Sequence, residues 1–558
     1  MTVVNLGNGM KRISLFCRPF WLLTHRRSAM KGLTNSVKWV TAAAVLVAMP
    51  TVASFAGTPA SGVKTTPATD KKTDMPAVPR AIPDLTKYGK FDPPTAKIFD
   101  FKNLTISGDM RVRPEFRSKG CFGGGGGGTC TSSAGTMRSS GDSNDFYTQQ
   151  LIRLGFNYDI SPDVRFFTQA QVSHNFGATD SGVNPNSTST DFFLRQGFML
   201  VRNFVVPNLS IKAGRQLMVW GNHRIFGHFD WNNVGFAFDG VTFRYNNKMM
   251  PVEFGWLRVA ENNIGQNAGG TNPAGAGKAN QDGDIIFVRV PTKIAGITVE
   301  PAWIWETGGA AGQGGTTAAG GGQAHDQSRH TLGGRATTKK GMFDATFEGY
   351  YQFGKIDPDG NPGGRNVDIR AYGNPGGRNV DIRAYALHFD AGATLPVAMQ
   401  PRIGAEINYG SGDSDNSATS NTASTFSQLF PTNHIHFGYM DLMAWQNMMT
   451  WGGKLELRPN KNSHFEVAGH SMRLAKAKDN WYRANQGTYF ASDAQNSTNS
   501  LGWELDVVYT LFFQGNHVGW QVGYGHFFAG QYVEEAASRG GIDESDQDWG
   551  YTQLWINF

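Results

Sequence analysis

From Phe101 onward, apolar residues alternate with polar or small residues along successive short stretches of the chain. In 502–513, every second residue is apolar: Trp503, Leu505, Val507, Tyr509, Leu511 and Phe513. Such alternation predicts strands with one side against an apolar environment and the other against water. A membrane barrel and a soluble sandwich both satisfy this pattern, so alternation alone leaves both architectures open.

The spacing of these stretches favours the barrel. Eighteen candidate strands begin near residues 103, 147, 163, 192, 208, 238, 251, 284, 297, 330, 342, 382, 401, 447, 463, 501, 517 and 549. Short connections such as 159–163 and 396–400 alternate with long polar segments such as 114–145, 308–328 and 410–446. Outer-membrane barrels combine an even strand number with short periplasmic turns and long outer loops. Residues 101–558 are therefore predicted to form an all-β, antiparallel transmembrane barrel of 18 strands.

The residues before the predicted barrel indicate that the chain is exported from the cytoplasm. The apolar run 39–56 follows Lys31 and Lys38 and ends in small residues, which indicates a signal peptide (1–56) cleaved after Ala56. A membrane anchor is less favoured because the run is short and contains Pro50. Met30 stands where the start is expected, so 1–29 is interpreted as an upstream extension. Residues 57–100 are rich in Pro, Thr, Ala and Lys, which predicts a disordered periplasmic leader.

Charge and hydropathy exclude two other classes of protein. A mean hydropathy of −0.36 does not fit a bundle of membrane helices. Seven of the 51 Lys and Arg residues lie in 1–56, which contains no acid, so 44 remain against 45 acidic residues. The cleaved chain would thus carry a net charge of −1 rather than +6, and we expect no nucleic-acid partner.

The first long connection contains two cysteines, Cys121 and Cys130, on either side of a glycine run. An even pair in an exported chain indicates a disulfide. A metal site is the alternative, but no third or fourth ligand lies nearby in the sequence. We expect no metal and no cofactor.

The last residues, YTQLWINF, form an apolar strand that ends in Phe558. A terminal aromatic strand of this kind resembles the assembly signal of outer-membrane proteins. The expected partners are the barrel-assembly machinery through Phe558, outer-membrane lipid and lipopolysaccharide, and the permeating solute.

The polar side of the strands predicts the lining of the pore, because a barrel of about 16–18 strands leaves an aqueous passage. The predicted lining residues are Arg111, Arg113, Arg153, Arg165 and Arg244 on the early strands and Arg402, Glu406 and Glu504 on the later ones. Basic and acidic walls could set up a field across the pore, or these charges could pair locally. Both interpretations stay open.

The segment 209–245 carries the patterns G-R-Q, W-G-x-x-R-x-x-G and W-x-N…F-D-G, and 430–482 and 523–533 add later ones. These stretches resemble the alginate-export family of outer-membrane porins, and the resemblance covers most of 103–558. It implies a channel in the outer membrane of a Gram-negative-type bacterium, with an anionic saccharide or another small anion as the expected permeant. It also implies that Arg215, Arg224 and Asp239 line the pore. Phe236 and Thr242 stand where the family pattern has basic residues.

Other functions find less support in the sequence. His434 and His436 could bind a metal, although loop histidines are usually only solvated. His470 and Ser471 could suggest a barrel hydrolase, but neighbouring strand residues point to opposite faces. A structural or adhesive barrel is the main alternative to a porin, and we expect no enzyme.

The sequence GNPGGRNVDIRAY occurs at 360–372 and again at 373–385, which indicates a recent duplication or a sequence error in an outer loop.

Overall fold

The computed structural model describes residues 101–119, 145–176, 190–247, 250–260, 283–308, 327–356, 380–414, 421–490, 495, 497–540 and 546–558. The predicted signal peptide and leader, the Cys121–Cys130 pair and the first copy of the 13-residue repeat lie outside the described residues. No helix among the described residues is long and apolar enough to cross a membrane.

Eighteen antiparallel strands form a closed barrel, because the last strand pairs with the first along Asp109–Ser118. The strands are β1 (Leu104–Ser118), β2 (Asp145–Asp159), β3 (Val164–Asn175), β4 (Thr190–Val201), β5 (Leu209–Gln216), β6 (Phe238–Tyr245), β7 (Val252–Ala260), β8 (Gly283–Arg289), β9 (Ile297–Gly308), β10 (Gln327–Lys340), β11 (Phe343–Ile356), β12 (Val380–Thr394), β13 (Arg402–Gly410), β14 (Met448–Asn460), β15 (Ser463–Leu474), β16 (Ser500–Phe513), β17 (Val518–Ala529) and β18 (Gln547–Asn557). The predicted fold class and strand number are confirmed.

Short strands supplement the barrel. Thr292–Ile294 extends the edge of β8 beside β9, and Thr422–Ala423 pairs in parallel with β12. Trp481–Tyr482 and Thr488–Phe490 form a separate two-stranded sheet. One α-helix, α1 (Gln531–Gly540), lies in the connection between β17 and β18.

The two faces of the barrel wall differ as the alternation predicts. On β11, Phe343, Phe347 and Tyr351 are 63%, 51% and 48% exposed, whereas Glu348 and Gln352 on the other face are buried. Closure pairs the first strand with the last, and on β11 the outward positions from Phe343 to Phe353 carry no charge, as contact with lipid requires.

The connections alternate in length along the described chain. The short ones, which are periplasmic by this rule, include 160–163, 202–208, 246–251, 341–342, 395–401, 461–462 and 514–517. Two of the long connections do not stay outside. Residues 217–237 between β5 and β6 (inner segment A) and residues 421–447 between β13 and β14 (inner segment B) fold into the barrel.

The fold of inner segment B corrects an expectation, because 410–446 is predicted to be a polar outer loop. Its apolar residues Phe426, Leu429, Phe437, Met440, Leu442, Met443 and Trp445 are all at most 2% exposed and form one core with the wall. These residues follow neither the period of a strand nor that of a helix, so their burial inside a barrel is not visible in the pattern.

Candidate functional site

The inner face of the wall carries eight of the predicted pore-lining residues: Arg111, Arg113, Arg153, Arg165, Arg244, Arg402, Glu406 and Glu504. The inner face is identified by cross-strand neighbours, since Leu257, Ile285 and Phe238 on the same side are almost fully buried. Arg165, Arg153, Glu406, Arg402 and Arg244 have exposed side-chain fractions of 16%, 17%, 19%, 22% and 56%. These five side chains are reached by water.

Arg215 and Asp239 do not line the pore in this structure. They form a cross-strand pair on β5 and β6, with Arg215 Nη1 2.7 Å from Asp239 Oδ2, on the outer face. Asp239 lies beside Arg258 of β7, while the inward-facing Leu257 is fully buried. The expectation from the family motif fails because strand parity, not motif position, decides which face a side chain takes.

Arg224 lies inside the barrel but is covered, with only 3% of its side chain exposed. Its guanidinium lies 3.9 Å from Glu348 and 3.7 Å from Glu406, and it stacks over Phe437 at 5.1 Å. Burial lowers the pKa of the Arg224 guanidinium, and the two carboxylates oppose that shift. Arg224 therefore fixes inner segment A to the wall of β11 and β13 rather than facing free solvent.

The two inner segments pack on each other as one body. Gly227 N donates to Phe430 O at 2.7 Å, Phe430 N donates to Ile225 O at 2.9 Å, and Thr432 N donates to His223 O at 2.9 Å. Further contacts join Gln428 to the Arg224 carbonyl and His436 to the Asn222 carbonyl. A displacement of one segment must therefore disturb the other.

Inner segment A is held against the early strands by Asp230. Its carboxylate accepts from Arg153 Nη1 at 2.8 Å and from Arg195 Nη2 at 2.7 Å. Arg111 Nη1 donates to the Asp230 carbonyl at 2.6 Å. Burial alone would raise the pKa of the Asp230 carboxyl, but the two guanidinium groups outweigh burial and lower it.

Inner segment B is held against the later strands by two carboxylates. Glu504 Oε1 accepts from Met440 N at 2.8 Å, and Asp506 Oδ2 accepts from Tyr439 N at 3.2 Å. Gly438 adopts φ +98°, and a Cβ there would lie 2.3 Å from Glu504 Oε1. Glu504 is only 1% exposed. Glu504 faces inward as expected, but it holds inner segment B in place and does not line the water-filled lumen.

Most inner-face charges are paired. From β6 to β10 the pairs Arg244–Glu253, Arg289–Glu253, Arg289–Glu300 and Arg335–Glu300 follow one another at 2.8–3.5 Å. Arg402 then pairs with Asp344 and Glu456, and Lys454 with Glu466. Local pairing, one of the two interpretations open from the sequence, thus describes most of these side chains. Because these charges are paired, we expect the lumen to discriminate less strongly between anions and cations.

The candidate metal ligands have other partners. His434 Nδ1 lies 3.0 Å from Asp441, and His436 Nε2 lies 2.6 Å from the Asn222 carbonyl. Burial lowers the pKa of the His436 imidazole well below its usual value. Glu456, His464 and Glu466 come within 4.8 Å of one another through their ligand atoms, but Arg402 and Lys454 already pair with the two carboxylates.

His470 and Ser471 take opposite sides of β15. His470 faces inward 3.6 Å from Glu406, whereas Ser471 lies beside the outward-facing Trp451 and Trp503. A nucleophile and its base cannot meet in that arrangement.

Sequence reasoning missed Arg195 and Asp230, which the structure places at the centre of the early-strand cluster. Arg195 lies at a register shift between β3 and β4, where the pairing passes from Gln196 to Leu194, so parity counted from Gln196–Val201 does not predict its side. Asp230 lies in the motif F-D-W-x-N. A single acidic residue in this motif, in a barrel with several predicted inward arginines, was the signal that could have identified it as their partner.

Comparison with known proteins shows a match to one protein family over part of the chain. Residues 311–543 match the family model described as alginate export, and no curated protein matches the chain. Similar solved structures include OccK9 (OpdG) of Pseudomonas aeruginosa, with 9% identity, 82% of this chain and 99% of that chain covered, and a TM-score of 0.49. OccK8 (OprE) of the same organism has 11% identity, coverage of 82% and 98%, and a TM-score of 0.48. OccAB1 of Acinetobacter baumannii has 10% identity, coverage of 81% and 97%, and a TM-score of 0.46.

The family match falls on the second half of the barrel, β10 to α1, where inner segment B and its anchoring carboxylates lie. It confirms the resemblance for the motifs in 430–482 and 523–533, whereas the motifs in 209–245 lie outside the matched residues. Over residues 311–543 the chain matches the alginate-export family, and the protein is an outer-membrane β-barrel porin of a Gram-negative-type bacterium, a channel rather than an enzyme.

Proposed function

We propose that this channel passes small solutes with a modest preference for anions, anionic saccharides among them. The observation that carries the proposal is an unequal distribution of charge around the inner wall. Among the side chains that the structure describes on β1–β6, the inward basic residues outnumber the acidic ones: Arg111, Arg113, Arg117, Arg153, Arg165, Arg195, Lys212 and Arg244 against Asp109, Glu115 and Asp159. An excess of guanidinium groups attracts carboxylates and can replace part of their hydration.

The later strands limit this preference. From β11 to β16 the inward acids outnumber the bases: Asp344, Glu348, Asp390, Glu406, Glu456, Glu466, Glu504 and Asp506 against Arg402 and Lys454. Phe236 and Thr242 add no charge on the basic side; Phe236 stacks on Phe229, and Thr242 donates to Gln216. The preference for anions should therefore stay modest.

The alginate in the family's description is a polycarboxylate, and a polyuronate needs repeated contacts with cations along its path. Arg153, Arg165 and Arg244 are among the arginines on the basic side that water reaches. They support passage of a chain of anionic sugar units along β2, β3 and β6, with the opposite wall keeping the affinity low.

Ion selectivity in planar bilayers tests the proposal. Arg244→Glu should lower the anion/cation permeability ratio more than Arg153→Glu, because Arg153 is engaged by both Asp109 and Asp230. Glu406→Lys should raise the ratio. Each effect should grow as salt falls, since the screening length increases from about 8 Å at 0.15 M to about 30 Å at 0.01 M.

Arg383→Glu on the outer face of β12 is the matched control, with 66% of the side chain exposed away from the lumen. If Arg244→Glu and Glu406→Lys change the ratio no more than this control does, the proposed charge selectivity is wrong. Alginate oligosaccharides added to one chamber should reduce the wild-type current reversibly, and the loss of that block in Arg244→Glu would support the saccharide part of the proposal.

A further inference from the structure

Two phenylalanine rings face the lumen near its periplasmic end. Phe167 on β3 and Phe198 on β4 are cross-strand neighbours, with ring centroids 5.3 Å apart and ring planes 39° from each other. Phe167 has the inward parity of Arg165, and both rings are half-buried. Among the described residues, neither ring is part of the core that the inner segments form with the wall. The structure therefore leaves an apolar surface open inside a water-filled passage, which is a feature of binding surfaces.

Water reaches this level of the wall. Thr105 and Ser107 of β1 face inward and are exposed, and Ser107 is the cross-strand neighbour of Gly155 on β2. The ring of Phe167 leans over Gly155, where a Cβ would lie 3.5 Å from two of the ring carbons, so the ring lies along the wall and not across the lumen. Inner segment A attaches at Arg153, one inward position further from the periplasmic turn than Gly155. A solute that enters from the periplasm thus meets the rings before it meets the inner segments.

The side chains beside the rings offer a hydrogen-bond donor, an acceptor and a cation. Gln196 Nε2 donates to Gln169 Oε1 at 3.0 Å, which leaves Gln169 Nε2 and Gln196 Oε1 without a partner among the described residues. Lys212 Nζ lies 5.1 Å from the centroid of the Phe198 ring and forms no ion pair within the described part of the chain. These side chains form the lumen patch: Phe167, Gln169, Gln196, Phe198 and Lys212.

We propose that the lumen patch binds one sugar unit that carries a carboxylate, a uronate of an oligosaccharide. The C–H groups on one face of a pyranose ring pack on the two phenylalanines, whose faces carry partial negative charge. The free amide donor and acceptor bind hydroxyl groups, and Lys212 pairs with the carboxylate. A neutral sugar would leave Lys212 without a counter-ion, and a small inorganic anion would leave the rings uncovered. This inference rests on the proposed passage of anionic saccharides, and it assigns their first contact to the periplasmic side of the inner segments.

Block of the channel current in planar bilayers tests the proposal. The dissociation constants of an alginate oligosaccharide and of a neutral mannose oligosaccharide of the same length are measured on the full chain. Phe167→Ala and Phe198→Ala should each raise both constants about tenfold, the effect of losing an apolar contact of about 50 Å². Lys212→Met should raise the constant of the alginate oligosaccharide at least about tenfold and leave that of the neutral one unchanged.

The matched control is Phe254→Ala, which changes the stacked pair Phe243–Phe254 on the outer face of β6 and β7, with ring centroids 4.9 Å apart. It should leave both dissociation constants unchanged. Heat-modifiable mobility on gels shows whether each variant folds. Phe167→Leu and Phe198→Leu keep an apolar side chain without the ring and replace an Ala variant that fails to fold.

Unchanged constants in the variants of both phenylalanines would overturn the patch and leave the rings as filling of the wall. An unchanged constant of the alginate oligosaccharide in Lys212→Met would overturn the assignment to a uronate. If the alginate oligosaccharide does not block even the wild type, the proposed passage of anionic saccharides fails together with the patch. Block of the wild type with equal block of every variant refutes the patch alone.

Discussion

The indole ring of Trp231 lies parallel to the imidazole ring of His434, with the ring centroids 3.7 Å apart. The guanidinium of Arg113 lies on the other face of the indole, 3.6 Å from its centroid. Trp231 belongs to inner segment A, His434 to inner segment B and Arg113 to β1. A single stack thus joins both inner segments to the wall, and its rupture should loosen the body that narrows the lumen.

Trp231→Ala should raise single-channel conductance and current noise. The change removes a ring contact worth about 0.5–1.5 kcal/mol and a cation–π contact of similar size. The thermal unfolding of the barrel should change little, because the strand pairing does not involve Trp231. Trp231→Phe keeps a flat ring and should conduct nearly as the wild type. Equal conductance of Trp231→Ala and the wild type would show that the stack does not hold the constriction.

Acid should release inner segment A through Asp230. A carboxyl whose pKa is lowered in the folded state contributes stability above its unfolded pKa, and that stability is lost as the pH falls through the lowered value. The anchor should therefore hold from pH 7 to 5 and weaken only below the usual Asp pKa of about 4. Bilayer recordings from pH 7 to 3 should show the onset of larger, noisier currents there.

Asp230→Asn supplies the comparison for that titration. It leaves Arg153 and Arg195 without their shared carboxylate, so the noisier state should already be present at pH 7. Hydrogen bonds to charged groups contribute about 1.5–3 kcal/mol each, enough to shift the anchoring equilibrium. A variant that gates like the wild type at every pH would assign the acid effect to other carboxylates.

The strands were predictable because a period of two residues is visible wherever one face meets lipid, and every predicted start lies within three residues of the observed one. The same period could have placed Arg215 correctly, since it shares parity with Ile211 and Ala213. The inner segments could not be predicted. Phe426, Leu429 and Trp445 are buried by contacts between distant parts of the chain, which leave no local period.

Cys121 and Cys130 are predicted to form a disulfide, on the basis of their spacing in an exported glycine-rich segment. Maleimide labelling of the purified, unreduced chain should find neither thiol free, and reduction should expose both. Labelling of both residues without reductant would contradict the pairing. The double Ser variant should still insert, because the strands on either side, β1 and β2, pair along their whole length.

Removing 13 residues from the tandem repeat should leave the barrel intact. Deleting either copy gives the same sequence, so the part of the second copy that lies in β12, Val380–Tyr385, is preserved in register. Shortening a loop changes its closure entropy only slowly. Heat-modifiable mobility on gels should match the wild type, whereas a 13-residue deletion within β12 should abolish it. Loss of mobility in the repeat deletion would mean that the first copy is needed for the fold.

Phe558 closes the seam of the barrel and is also predicted to carry the assembly signal. Its backbone exchanges hydrogen bonds with Gly108, Phe558 N to Gly108 O at 3.0 Å and Gly108 N to Phe558 O at 3.1 Å. The ring covers Gly108, where a Cβ would lie 2.5 Å from it, yet the residue is 69% exposed. So exposed a ring adds little to the stability of the finished barrel. Phe558→Ala should therefore lower the amount of assembled barrel in cells several-fold while leaving the unfolding of the purified barrel nearly unchanged.

Two variants are the controls for this prediction. Phe558→Tyr should restore assembly, and Phe513→Ala, which changes another exposed aromatic beside a periplasmic turn, should not impair assembly. If Phe558→Ala assembles as the wild type does, the terminal strand is not the signal; if it instead lowers the unfolding temperature in proportion to the lost assembly, the ring acts by closing the seam and not through recognition.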